Sequence, residues 1–231
     1  MKRFIESYED LLIVERGMFM SKIKQITYGN VNCFLIESNG KSILVDTGRE
    51  KYREKILEEC SYYDMLLIIL THGHVDHIQN AAFLADALNI PIAICKKDLE
   101  LINNNMLQPL SAEGILGKIV LYVSLQSMKK DKIPVFNPTI FLEEGDTLED
   151  YGIKAKIIEL PGHTNGSIGI DIEGENLIVG DALMNMFYPT VSMLYNNKDS
   201  MEKSGCKISS LGDRMIYFGH GKPIRNRTWT K

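Results

Sequence analysis

The sequence has no apolar run near the roughly 18 residues that a membrane-spanning helix needs, so no membrane partner is expected. No charge of one sign dominates: 26 basic side chains stand against 30 acidic ones, for a formal net charge of −4. A field that weak and mixed gives no general attraction for nucleic acid. Cysteine is sparse, and Cys33, Cys60, Cys95 and Cys206 form no C-x-x-C pair, so reduced thiols in a cytoplasmic protein are expected. The opening MKRFIESYEDLLIVERGMFM lacks a secretory apolar core, because Glu6, Glu9, Asp10, Glu15 and Arg16 interrupt it. No Pro/Gly/Ser linker divides the 231 residues. One domain over 1–231 is expected, with residues 1–21 as an N-terminal extension.

What is present reads as an α/β chain. Hydrophobic residues at 45% and charged ones at 24% allow a sizeable core. Lys22–Tyr28, Asn32–Ser38 and Ser42–Gly48 are short β-rich runs separated by Gly29-Asn30 and Asn39-Gly40, which predicts a meander. Arg49–Cys60 carries Tyr52, Ile56 and Cys60 on one face, as a surface helix does. Met65–Leu70 is apolar on both faces, as a buried central strand requires. A helix from Ile78 and a strand from Pro91 follow. Residues 98–138 have weaker periodicity, and Pro109, Gly114, Gly117 and Pro134 make them read as helix plus irregular crossover. Beyond come strands around Ile140 and from Lys154 to Leu160, then a hairpin turning at Glu173-Gly174 and ending at Asp181. A helix near Asp199–Leu211 and a strand Arg214–Gly219 close a second meander-plus-helix half.

Histidine is scarce too, at five, yet every one falls in a loop that follows a predicted strand. His72, His74 and His77 lie in THGHVDH, His163 in LPGHTNGS and His220 in YFGHGKP. Asp46 in LVDTG, Asp76 in the first cluster and Asp181 in IVGD reach the same rim. Neutral imidazole and carboxylate suit zinc and similar cations, and iron or manganese fits the same ligands. His72 and His74, two apart in an extended segment, can face one side. Asp76 and His77 follow on the turn, so at least one can serve a second ion. This differs from the helical i, i+4 pair of H-E-x-x-H. Asp46 has a second, lesser reading as a capping or turn residue at Thr47-Gly48.

The ordered set H-x-H-x-D-H, isolated His163, Gly-Asp at Asp181 and Gly-His-Gly at His220 resembles the metallo-β-lactamase superfamily across about residues 22–225. The resemblance implies a four-layer αββα sandwich with its site at the strand-end rim. It implies two Zn²⁺ ions, the first held by His72, His74 and His163, the second by Asp76, His77 and His220, with Asp181 bridging. Asp46 matches a strand-end aspartate that orients ligands rather than binding metal.

Two cations roughly 3.5–4 Å apart would hold a bridging hydroxide at neutral pH, a nucleophile for a carbonyl ester, thioester or lactone. Asp76 would orient it and accept a proton. The loop 182–197 offers Phe187, Tyr188 and Tyr195 among methionines as a wall for a small-molecule substrate. Lactonase relatives place a tyrosine three residues after the bridging aspartate, where this chain has Met184, so Tyr188 or Tyr195 would have to take that role. The added helical domain of glyoxalase II finds no room in the eleven residues after His220, which argues against a glutathione thioester. Flavodiiron proteins usually carry Glu where this chain has His74. A mononuclear-iron persulfide dioxygenase, a phosphodiesterase or nuclease, and a non-catalytic metal-binding protein are the competing classes. Arg225 or Arg227 near His220 could hold an anionic substrate tail. The apolar residues between Ile5 and Met20 could cover the pocket or a partner chain, which leaves a homodimer open.

Overall fold

The computed structural model describes residues 21–230. The readings placed on Ile5–Met20 therefore lie outside the described residues. Strands β1 (Lys22–Tyr28), β2 (Val31–Ser38) and β3 (Lys41–Val45) form the expected antiparallel meander. Asn39 (φ 52°) and Gly40 (φ 79°) make a two-residue turn in the left-handed region that twisted hairpins favour. β3 stops at Val45 because Asp46 itself turns left-handed, at φ 59°. After α1 (Arg53–Cys60) the chain enters β4 (Asp64–Leu70), which pairs parallel to β3. Then come α2 (Val75–Ile78), α3 (Ala81–Leu88), β5 (Ile92–Ile94) and α4 (Leu99–Asn103). β6 (Ser111–Ala112), α5 (Gly114–Lys130) and β7 (Ile140–Phe141) follow, and the first sheet runs β1-β2-β3-β4-β5-β7.

The second half contributes β8 (Ala155–Glu159), β9 (Ile168–Ile172) and β10 (Asn176–Ile178). Short strands β11 (Leu183–Met184), β12 (Thr190–Val191) and β13 (Leu194–Tyr195) precede α6 (Lys198–Ser210), β14 (Met215–Tyr217) and β15 (Ile224–Arg225). The second sheet runs β15-β14-β10-β9-β8.

Side-chain alternation explains the layers, since neighbouring strand residues point to opposite faces. Phe34, Ile36, Ile43, Val45, Leu67 and Ile69 of the first sheet pack on Ile157, Ile168, Ile170, Ile172 and Ile178 of the second. Their sequence neighbours Leu35, Leu44, Ile68 and Leu70 face the other way, onto Ile56, Cys60, Ile78, Ala81 and Leu84. On the far side Leu177, Val179, Ile216 and Phe218 pack on Ile208 of α6 and on Trp229. Helix, sheet, sheet, helix is thus the αββα order. Each fully buried Ile or Leu here adds about 1.5–3 kcal/mol over leaving it exposed.

The segment 98–138 is helix plus irregular crossover, as expected, with the helix placed across the two glycines. Gly114 and Gly117 do not break structure; they lie in the first turn of the 17-residue α5. Only Gly117 of that helix is buried, and Ile115, Ile119, Tyr122 and Val123 are all exposed. A helix whose apolar residues do not face the core leaves no core-directed stripe to read. Among the described residues no helix is long and apolar enough to cross a membrane.

Candidate metal centre

The rim where β3, β4, β8, β10 and β14 end is tied shut by backbone contacts between the sheets. Asn32 N–H donates to Gly219 O (2.8 Å), Asn32 Nδ2 to Phe218 O (2.8 Å), and Ile168 N–H to Thr71 O (2.9 Å). β4 ends at Leu70, and the chain bends through Thr71 and His72 before an extended His74 leads into α2. Asp76 and His77 therefore stand on one helical turn, not on an extended loop. Gly73 has no room for a side chain, because a Cβ would lie 2.6 Å from Leu101 Cβ. Gly219 is equally confined: a Cβ there would strike Asp181 and the His77 ring.

All eight residues expected at the rim come together. His72, His74 and His163 form one group whose nitrogens lie within 4.8 Å of one another; Asp76, His77 and His220 form another; and His72, His77 and Asp181 form a third. Asp181 lies between them, 3.5 Å from His77 Nε2, 3.6 Å from His163 Nε2 and 3.3 Å from His220 Nε2. All but Asp76 are buried.

The hydrogen bonds fix which nitrogen of each ring faces inward. Asp46 accepts from Thr71 N–H and Thr71 Oγ1, both at 2.8 Å, and from His77 Nδ1 at 2.8 Å. With its proton committed to Asp46, Thr71 Oγ1 accepts from His72 Nδ1 at 3.0 Å. His163 Nδ1 donates to Leu194 O (2.8 Å), and His220 Nδ1 donates to Asn30 O. Each of these four rings thus turns an Nε2 lone pair into the centre. His74 Nδ1 faces His163 Nε2 at 2.9 Å. The Nε2 atoms of His72, His74 and His77 and Oδ1 of Asp181 are buried with no partner among the described residues. Buried polar atoms are rarely left unpaired, and lone pairs aimed at carboxylate oxygens repel unless positive charge lies between them. A divalent cation fits that donor set.

The electrostatics agree. Burial, reinforced by His77 and His163, holds His72 well below the usual imidazole range, and burial with His163 does the same to His74. Both are neutral, the form that ligates. Burial also pulls on His77, but Asp181 and Asp46 outweigh it and lift its pKa to about 10. Burial works against the charged form of Asp181 too, yet His220 and His77 keep its carboxyl well below the usual range. Without a metal, a proton on His77 supplies the positive charge that the carboxylates demand.

Three residues here went unnoticed in the sequence. Asp98, fully buried, accepts from Thr164 Oγ1 (2.7 Å), Gly166 N–H (2.7 Å), Gly73 N–H (2.9 Å) and Gln108 Nε2 (3.2 Å), joining the His72–His74 loop to the His163 turn. Asn105 accepts from Val75 N–H (2.6 Å) and donates to Gly73 O (2.8 Å). Arg49 reaches Asp76 Oδ2 at 3.5 Å and Asp131 Oδ2 and Ser127 Oγ at 2.8 Å. Asp98 could have been suspected, since it follows β5 at the same rim.

A cavity of about 210 Å³ opens onto Asp76, His163, Asp181 and His220, walled by α5 on one side and by Met184, Met186 and Phe187 on the other. Phe187 lines it; Tyr188 and Tyr195 stand outside its wall. Arg225 pairs with Asp213 (3.2 Å) and Arg227 lies over Trp229, so neither reaches the cavity.

An αββα sandwich carrying this rim of imidazoles and carboxylates defines a metal-dependent hydrolase class. The chain belongs to the metallo-β-lactamase superfamily, whose model matches residues 26–220. It is 27% identical over 196 residues to hydroxyacylglutathione hydrolase 1 of Vibrio vulnificus, covering 84% of this chain and 63% of that protein. It is 28% identical over 208 residues to hydroxyacylglutathione hydrolase GloC of Haemophilus influenzae, covering 87% of this chain and 90% of that protein. The chain spans about two thirds of the length of the first curated relatives it matches. Among solved structures, TTHA1623 in a di-iron-bound form aligns with a TM-score of 0.63 at 24% identity, covering 87% of this chain and 94% of that one. The GloC match removes one expectation, because a relative so named is covered nearly end to end. Want of room for an added helical domain is no argument against a thioester.

Proposed function

We propose that this chain is a hydrolase that cleaves a carbonyl ester, thioester or lactone with two bound divalent cations, zinc in first place. The observation that carries this is the inward, unpartnered set of His72 and His77 Nε2 and Asp181 Oδ1, joined by His74 Nδ1 and His163 Nε2, which face each other at 2.9 Å. His72, His74 and His163 would hold one cation, Asp76, His77 and His220 the other, and Asp181 both. When bound, such a pair supplies Lewis acidity and a water of lowered pKa. The rest falls to the chain. Asp46 fixes the His77 tautomer directly and that of His72 through Thr71, so both lone pairs are set before any ligand arrives. Asp76 lies on the cavity wall, and although burial opposes its charge, His77 and His220 keep it ionised. Its carboxylate oxygen not engaged as a ligand can take the proton of the attacking water and return it to the leaving group as the carbon–heteroatom bond breaks.

The names of the two hydroxyacylglutathione hydrolases support a thioester or related acyl bond. The di-iron-bound neighbour supports a two-metal centre and makes iron the rival of zinc. The four cysteines are free, which supports a cytoplasmic setting. Phe187 is the aromatic of the 182–197 loop that we assign to substrate contact. Steady-state rates on acyl esters, thioesters and lactones should exceed those on bis-p-nitrophenyl phosphate or RNA and fall on chelation. Efficient phosphodiester cleavage with every acyl substrate inert would refute the proposal.

A further inference from the structure

The two hydroxyacylglutathione hydrolases act, by name, on a thioester whose thiol is a tripeptide with two carboxylates. Cationic side chains are what hold such a leaving group. Among the described residues the cavity wall contains one Lys or Arg, Arg49. Its guanidinium is already engaged: Nη1 donates to Asp131 Oδ2 and Ser127 Oγ at 2.8 Å, and Nη2 lies 3.5 Å from Asp76 Oδ2. Two carboxylates thus face this guanidinium, so no cationic side chain of the wall is free to hold a carboxylate of the leaving group. Lys222 is exposed and outside the wall.

Away from the ligand-type residues, Arg49 and the hydroxyl and amide side chains of Ser124, Ser127 and Asn30, the wall is apolar. α5 lays Ile119, Val120, Val123 and Met128 along one side, facing Met186 and Phe187. Ile119, Val123 and Phe187 remain 56%, 61% and 57% exposed, so a guest would cover apolar surface now facing water. α5 is fixed at its ends rather than through its middle. Asp131, just past its last turn, takes Arg49, while Glu113, just before its first, takes Lys198 at 2.7 Å. The aliphatic stretch from Ile119 to Val123, facing Met186 and Phe187, suits an extended apolar chain better than a compact polar group.

We infer that the substrate carries an uncharged apolar acyl chain lying along α5, with a leaving group that lacks the carboxylates of glutathione. This names the substrate class of the proposed hydrolase and rests on that reading, but its test is one of binding. The probes are non-hydrolysable neutral thioethers of N-acetylcysteamine, with butyl to octyl chains, and S-hexylglutathione, titrated calorimetrically into metal-loaded protein. Affinity should rise about fourfold per added methylene until the cavity fills, and the neutral hexyl thioether should bind at least tenfold more tightly than S-hexylglutathione. Val123→Asp and Ile119→Asp, at exposed positions that folding tolerates, should flatten the chain-length series. A flat series in the native protein, or tighter binding of S-hexylglutathione, would overturn the inference. Turnover separates the two claims. Chain-length-dependent binding with no ester, thioester or lactone hydrolysed supports the inference and removes the hydrolase. S-lactoylglutathione turned over faster than every neutral thioester keeps the hydrolase and overturns the inference.

Discussion

Asp98 shows how one side chain far from the water can govern a site it does not enter. Its four hydrogen bonds bind the two loops that present His72, His74 and His163, and burial pushes its carboxyl up despite the pull of Thr164, Gly73, Gly166 and Gln108. Asp98→Asn puts an NH₂ where donors already point, so the metal-free protein should lose about 3 kcal/mol in urea unfolding and bind metal more weakly. An unchanged midpoint would contradict this role. His77 gives a pH signature. Its folded pKa of about 10 lies above the usual 6.5, because Asp181 and Asp46 overcome the opposing effect of burial. A raised pKa stabilises in full below pH 6.5, and that contribution fades as pH rises through about 10. Metal-free protein should therefore lose stability across that window, whereas a bound cation replaces the proton and removes the slope. Thermal unfolding over a pH series, with and without metal, reads the difference; equal slopes would contradict it.

At the scale of elements, strand ends and tight backbone passages position the ligands. Gly219 ends the β14 connection against Asp181 and His77, so Gly219→Ala should disturb both and lower metal occupancy, besides costing about 1–3 kcal/mol of stability. Asn197→Ala makes the contrast: its side chain accepts from Ser200 N–H (2.9 Å) at the start of α6, and its loss should cost about 1 kcal/mol with metal content unchanged. Parallel losses of metal in both variants would mean that occupancy merely follows stability. Element by element, the buried strands were legible because Leu67 and Ile69 serve one core and Ile68 and Leu70 the other, which forces an unbroken apolar run. The ligand-type residues were legible because each follows such a strand. α5 was legible only as helix of no defined extent, because Ile115, Ile119, Tyr122 and Val123 face solvent and the cavity rather than the core, which blurs its period. Asp98 and Arg49 sit in no motif, since a partner distant in sequence leaves no local mark. Tyr188, at 53% exposure, and the basic residues after His220 were aimed elsewhere by packing that no spacing records.

For the whole molecule, the two sheets share one core and open at one rim, and the seven proposed ligands come from four separate connections. A cation there joins both halves of the chain, so binding should stabilise the entire fold by mass action. The central claim is that this rim holds two cations at once. Elemental analysis of untagged protein, reconstituted with divalent metal and freed of excess, tests it most directly. Two equivalents per chain is the expected result, falling towards one in Asp181→Ala. A stoichiometry fixed at one, or no retained metal, would contradict the account.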